Sequence, residues 1–234
     1  MANKKEKSSN ILQIKRLDAN KKELESWQAY AYWLGNINGV GRAIRDGKVG
    51  AVLLAGGMGT RLGSDAPKGV YNIGITKDVY IFERLVQNLM QVVDETGAYI
   101  HLFVMTSEKN NDITVEFFKE HNYFGYSVNY IHFFMQEMAP ATDYNGKVLM
   151  EAPNRIAASP NGNGGWYSSI INSGLHKVIK AEGIEWLNVF AVDNVLQKIA
   201  DPCFVGATIC NDGRRRVFCR ILSCYNKKRS NKKR

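Results

Sequence analysis

Long apolar runs are absent from this 234-residue chain. None approaches the roughly 18–20 residues a membrane helix needs, and the polar, lysine-rich start Met1–Asn10 lacks the apolar stretch of a secretory signal, so a cytoplasmic location is the expectation. Cysteine is missing from the first 202 residues. The four that follow, Cys203, Cys210, Cys219 and Cys224, form no C-x-x-C pair, match no zinc spacing and read as free thiols. Pro- or Ser-rich linkers and internal repeats are missing as well, which argues against a string of domains. Acidic residues are absent from 213–234. Ten of the 31 basic residues lie there, leaving 21 basic against 22 acidic side chains in the first 212, so the formal charge of +9 describes a tail and not the body.

What is present is one substantial core, at 45% hydrophobic residues, with a regular order of elements. From Leu17 to about Arg45 the apolar positions Leu24, Trp27, Tyr30, Ala31 and Leu34 recur at helical spacing, interrupted by Gly35, Gly39 and Gly41. Two short helices are predicted, as an N-terminal extension over 1–47. Strands are predicted at Ala51–Ala55, Tyr99–Met105, Asn129–Met135 and Trp186–Val192, with helices at Val79–Glu95, Asp112–His121 and Trp166 to about Ala181. Two further short strands flank Glu151–Asn154. Nearly uniform apolar strands alternating with helices predict an α/β fold with parallel strands buried on both faces. The main domain is expected over 48–212.

The chemistry concentrates after the first strand. Leu53-Leu54-Ala55-Gly56-Gly57-Met58-Gly59-Thr60-Arg61-Leu62-Gly63 is followed by Ala66-Pro67-Lys68-Gly69. Its glycines let backbone N–H groups turn toward a phosphate, and Arg61 and Lys68 add positive charge. The spacing is neither G-x-x-x-x-G-K-[ST] nor G-x-G-x-x-G. Composition alone leaves two readings open, a polyphosphate cradle and a tight strand-to-helix turn. His101, His121, His132 and His176 have no metal spacing and read as structural, and Asp143 and Glu151 form no evident acid–base pair.

The run L-A-G-G-x-G-T-R-L-G followed by P-K resembles the nucleotide-binding loop of the eukaryotic-type UDP-sugar pyrophosphorylases. More blocks follow in family order: Met105-Thr106-Ser107, Glu116-Phe117-Phe118, Tyr123-Phe124-Gly125, Phe133-Phe134-Met135-Gln136 with Pro140-Ala141, Ala158 to Gly165, and Val192-Asp193-Asn194 with Ala200-Asp201-Pro202. The resemblance covers roughly residues 48 to 211. It implies a Rossmann-like, mixed but mainly parallel sheet with flanking helices, and transfer of UMP from UTP to a sugar 1-phosphate, giving a UDP-sugar and pyrophosphate. The P-x-G-N-G-G form looks like the N-acetylhexosamine branch, so N-acetylglucosamine 1-phosphate is the expected acceptor and glucose 1-phosphate the alternative.

Carried over residue by residue, the resemblance implies that main-chain groups of Leu54, Ala55, Gly56 and Gly57 hold the uracil together with Gln136, that Gly162 lies against the base and Asn163 reaches the sugar, and that Gly59 and Thr60 are further nucleotide contacts. Asp193 is implied as a ribose contact and the Mg²⁺ ligand, and Arg61 and Lys68 as the catalytic cations. A solvated Gln136, a capping turn at Gly162–Asn163 and a turn cap at Asp193 are the plain alternatives from composition.

Family members are longer. After Asn211-Asp212 the resemblance stops, so the fold is expected to be incomplete on its C-terminal side through a truncation or frameshift, and this fragment to be weak or inactive. The tail 213–234 reads as a non-native or disordered stretch, or as an arm for nonspecific nucleic-acid binding. A nucleotide-binding module without turnover is the third functional reading.

Overall fold

The computed structural model describes residues 40–210 and 218–220, except the side chains at positions 40, 61, 203, 207, 210 and 218–220. Most of the predicted N-terminal extension, most of the basic tail and the four cysteine side chains therefore lie outside the described residues.

The core is a five-stranded sheet in the order β3-β2-β1-β8-β9. β1 (Val49–Leu54), β2 (His101–Thr106), β3 (Ile131–Met135) and β8 (Trp186–Ala191) run parallel, while β9 (Phe218–Arg220) pairs antiparallel with β8. Strand residues alternate between two apolar layers, as a pleat requires. Ala51, Leu53, Leu102 and Val104 face α1 (Val40–Arg45), α2 (Ile81–Thr96), α3 (Asn111–Glu120) and α6 (Pro202–Cys210). Val52, Phe103 and Met105 face α4 (Trp166–Asn172) and α5 (His176–Ala181). All six residues of β2 are buried, which is the two-sided burial that its unbroken apolar run predicts.

Local chemistry explains the helix limits. α2 repeats Phe82, Leu85, Val86, Leu89, Val92 and Val93 along one buried stripe. The Glu83 carboxylate accepts from the Tyr80 N–H at 3.2 Å at its start, and Gly97 closes it at φ 72° with its N–H donating to the Val93 carbonyl. The single helix predicted from Trp166 to Ala181 is instead two. Gly174 adopts φ 81°, outside the helical region, and separates α4 from α5.

Beyond β3 the chain makes an exposed excursion. β5 (Met150–Ala152) and β6 (Arg155–Ile156) are the two expected short strands, and β4 (Met138–Pro140) with β7 (Ala158–Pro160) forms an antiparallel pair at the root. This root brings residues 160–165 back to the end of β3.

Candidate nucleotide site

β2 and β3 step away from β1 on one side, and the chain then returns to place β8 on the other. Parallel α/β sheets bind ligands at the carboxyl ends of strands beside such a reversal. The glycine loop follows β1 there, and Asp193 lies two residues past β8.

Ala55 extends the ladder, its N–H donating to the Met105 carbonyl at 2.8 Å. The next residue faces a tight neighbour: a Cβ on Gly56 would lie 2.4 Å from Gln136 Nε2. Only a glycine lets the Gln136 amide rest on this backbone. Gln136 itself is 7% exposed and held by its N–H to the Thr106 carbonyl at 2.8 Å. Its side-chain amide makes no hydrogen bond to protein among the described residues. Two donors and an acceptor edge are thus presented beside Gly56, the pattern that can pair with a pyrimidine edge.

Past Gly56 the chain folds back on itself. The Gly59 N–H donates to the Ala66 carbonyl at 2.8 Å and the Lys68 N–H to the Gly57 carbonyl at 3.3 Å. The arm between contains a short 3-10 turn, Thr60–Leu62, ended by Gly63 at φ 71°. Leu54 is half-buried, Thr60 and Gly57 are exposed, and Gly59 is buried against Ala66. The Arg61 side chain lies outside the described residues.

Lys68 and Asp193 come together across the strand reversal. Lys68 Nζ forms an ion pair with Asp193 Oδ1, the lysine side chain 20% and the aspartate 62% exposed. Each is anchored to α2. Next to Lys68, Gly69 lies flat on the Phe82 ring, where a Cβ would sit 2.1 Å from ring carbons. Beyond Asp193, the buried Asn88 of α2 donates from Nδ2 to the carbonyls of Val195 at 3.0 Å and Gln197 at 3.2 Å.

The third part of the site comes from the root of the excursion. Gly162 stands at φ 76° and Asn163 opens a 3-10 turn, Asn163–Gly165, leading into α4; both are exposed. The Asn161 N–H donates to the Glu137 carbonyl at 2.9 Å, so this turn is tied to the residue after Gln136. Glu137 extends the tie, accepting from Ser168 Oγ at 2.8 Å and from Asn172 Nδ2, while its own N–H donates to Ser169 Oγ at 3.0 Å. Gln136 and Gly162–Asn163 therefore form one unit.

Two features escape sequence reading. Asn110, fully buried, reaches the glycine loop from the end of β2, donating from Nδ2 to the Ala55 carbonyl at 3.0 Å. At the opposite end of the sheet, His101 Nδ1 and His132 Nε2 are 3.0 Å apart, with Glu182 Oε2 3.9 Å from His101. Burial pushes both imidazoles below the ordinary value of 6.5, against the pull of Glu182, and His101 lowers His132 further. A cavity of about 590 Å³ lined by Glu108, Lys109, Met138, Glu151 and Arg155 lies between the end of β2 and the excursion. Neither Lys68 nor Asp193 lines it.

No helix among the described residues is long and apolar enough to cross a membrane, and no three His, Cys, Asp or Glu among them cluster to hold a metal.

Relatives sharpen this picture. The chain is 39% identical over 176 residues to UDP-N-acetylglucosamine diphosphorylase 2 of Arabidopsis thaliana, covering 70% of this chain and 35% of that protein. It is 40% identical over 182 residues to UDP-N-acetylglucosamine pyrophosphorylase of Saccharomyces cerevisiae, covering 76% and 37%. Among solved structures, uridine diphosphate N-acetylglucosamine pyrophosphorylase of Trypanosoma brucei superposes with TM-score 0.72 at 30% identity, covering 82% of this chain and 40% of that one. UDP-glucose pyrophosphorylase of Leishmania major shares the fold, at TM-score 0.61 and 19% identity over 71% of this chain and 34% of that one. The chain thus spans little more than a third of the length of these curated relatives. With residues 4–217 matching the family model described as UTP--glucose-1-phosphate uridylyltransferase, the chain belongs to that family.

Proposed function

We propose that this chain binds UTP and serves transfer of UMP to a sugar 1-phosphate, N-acetylglucosamine 1-phosphate in preference to glucose 1-phosphate. The observation that carries the reading is Gln136, a residue 7% exposed whose side-chain amide is unpaired among the described residues and rests on Gly56. Uracil offers a donor between two acceptors, and a carboxamide can take the N3–H and donate to the neighbouring carbonyl at once. The preference for the N-acetylated sugar is supported by the 39–40% identity to the N-acetylglucosamine relatives.

In this reading the uracil lies against the Leu54–Gly57 backbone, Gln136 and Gly162, the ribose toward Asp193, and the phosphates over the loop from Met58 to Thr60 toward Lys68. A phosphate oxygen of the sugar 1-phosphate attacks the α-phosphorus of UTP in line. The new O–P bond forms as the bond to the β-phosphate bridge breaks, and pyrophosphate leaves with its electron pair. Positioning and neutralisation of charge are the main requirements of such transfer, and Lys68 with Arg61 supply positive charge. Asp193 is an exposed single carboxylate, the donor set that suits a Mg²⁺ ion otherwise held by phosphates and water. Bound there, Mg²⁺ would stabilise negative charge on the phosphates.

Calorimetric titration in the presence of Mg²⁺ tests the reading: UTP binds more tightly than ATP, and equal affinities would overturn it. Incorporation of labelled pyrophosphate into UTP, dependent on N-acetylglucosamine 1-phosphate, is the expected sign of turnover. A stronger response to glucose 1-phosphate would reassign the acceptor.

A further inference from the structure

We propose that Glu137 is a positioning residue for base selection, holding the Gln136 amide and the Gly162–Asn163 turn at one fixed spacing; the proposal rests on the UTP reading above. All four polar groups of Glu137 are committed, and every partner lies in residues 161–172. Its carbonyl accepts from the Asn161 N–H at 2.9 Å, just before the turn. Its N–H donates to Ser169 Oγ at 3.0 Å. One carboxylate oxygen accepts from Ser168 Oγ at 2.8 Å and the other from Asn172 Nδ2. A short relay continues from there to Gly162. Ser169, 2% exposed, passes the hydrogen bond on by donating to the Gly165 carbonyl at 3.0 Å, and the Gly165 N–H donates to the Gly162 carbonyl at 3.3 Å.

The carboxylate adds what apolar packing cannot. Ile170, fully buried in one cluster with Val52, Phe103, Met105 and Phe134, seats α4 on the sheet. Burial of this kind is non-directional, so it leaves a helix free to turn or slide by small amounts. Ser168 and Asn172 are four residues apart and therefore share one face of α4, about one turn apart along it. Two hydrogen bonds from that face to the two oxygens of one carboxylate fix the rotation and the height of the helix together, since each tolerates only a narrow range of angle. The turn Asn163–Gly165 runs directly into α4, and Gln136 is the residue before Glu137. The clamp thus sets where the turn stands against the amide. In the UTP reading the uracil meets both, so this spacing is what a pyrimidine fits.

Calorimetry with UTP and with ATP compares the unsubstituted chain with Glu137→Ala and Glu137→Gln. Glutamine keeps the clamp: its oxygen accepts from Ser168 Oγ, and its amide N–H meets Asn172 once that side chain turns its own oxygen over. The expected result is about a tenfold drop in the UTP-to-ATP affinity ratio for Glu137→Ala, and a change below about threefold for Glu137→Gln. An unchanged ratio in Glu137→Ala, including a fall of both affinities by one factor as a merely weakened fold gives, would overturn the proposal. Asn172→Ala cuts the clamp from the helix side, at an exposed position. It should lower the ratio in the unsubstituted chain and add nothing in the Glu137→Ala background; additive losses overturn the clamp. Ligand-free ¹⁵N spectra separate the clamp from the reading beneath it. Glu137→Ala moves the Gln136 side-chain amide and the Gly162 and Asn163 N–H resonances and leaves those of Gly59 and Lys68 in place, whereas shifts confined to residues 137 and 168–172 overturn it. The wider shifts in a chain that binds UTP and ATP equally would sink the uridine reading and leave the clamp standing.

Discussion

The two ends of the parallel sheet use the same kinds of side chain to opposite effect. At the amino end, polar groups close on one another. Lys48 Nζ meets Glu185 Oε1 at 2.9 Å, tying the start of β1 to that of β8, and this hydrogen bond raises the lysine pKa. The Tyr126 hydroxyl donates to the Ile100 carbonyl at 2.7 Å and accepts its N–H at 3.0 Å, with the phenol pKa raised by burial. His101 and His132 pair beside them. At the carboxyl end, Asn110 and Asn88 take up carbonyls of the loops, and the loop N–H groups and the Gln136 amide are left for something else. One end holds strands together; the other is shaped by its withheld hydrogen bonds. Burial alone would not distinguish them, since His101 and Gln136 are about equally covered.

Substitutions at each end can break or sharpen that contrast. The largest expected effect is from Gly69→Ala, whose methyl meets the Phe82 ring at 2.1 Å. Overpacking of this kind costs about 3 kcal/mol, read as a lower denaturant midpoint, and moving Lys68 weakens UTP binding as well. Lys68→Met should weaken UTP binding about thirtyfold, or about 2 kcal/mol, while unfolding changes by less than about 1 kcal/mol because the ion pair is largely exposed. Tyr126→Phe should do the reverse, costing about 1–2 kcal/mol of stability through the unpaired Ile100 backbone, with UTP affinity unaltered. A UTP defect in Tyr126→Phe as large as in Lys68→Met would erase the distinction between the two ends.

The smallest effect concerns pH. His101 and His132 have folded pKa values below 6.5, so the unfolded chain binds more protons just below that value. Their contribution to stability is complete above about pH 6.5 and is lost as pH falls through the folded values. His132→Phe keeps the ring stacked near Phe103 and should flatten the decline in unfolding free energy between about pH 7 and 5.5, by less than about 1 kcal/mol. A decline as steep as in the unsubstituted chain would show that other groups cause it.

Much of this was legible from the chain. The four parallel strands fall within about two residues of the predicted runs, because strands buried on both faces have no competing reading. The start of β1 was missed for a local reason. Gly50 looks like a break, yet its missing side chain is what admits Leu187 at 2.8 Å from the Cβ position, so the strand continues through it. Gly174 was passed over in the opposite sense, and its left-handed conformation splits the predicted helix. Within the site, the glycine loop, Gln136 and Asp193 stand out as motifs. Asn110 does not, since its partner Ala55 is 55 residues earlier and its meaning depends on the turn after β2. The histidine pair is hidden in the same way: it exists only in the register that sets Phe103 opposite His132.

Helix α2 deserves a last consequence. Phe82 seats Gly69 beside Lys68, and Asn88 grips the carbonyls that follow Asp193. Those two positions are six residues apart, about 9 Å along a helix axis. The separation between the site's cation and its carboxylate is thereby calibrated by a rigid rod instead of by the two loops that carry them. Insertions or drift in the exposed excursion after β3 leave that gauge untouched, so the excursion is free to diversify while the Lys68–Asp193 pair keeps its dimensions.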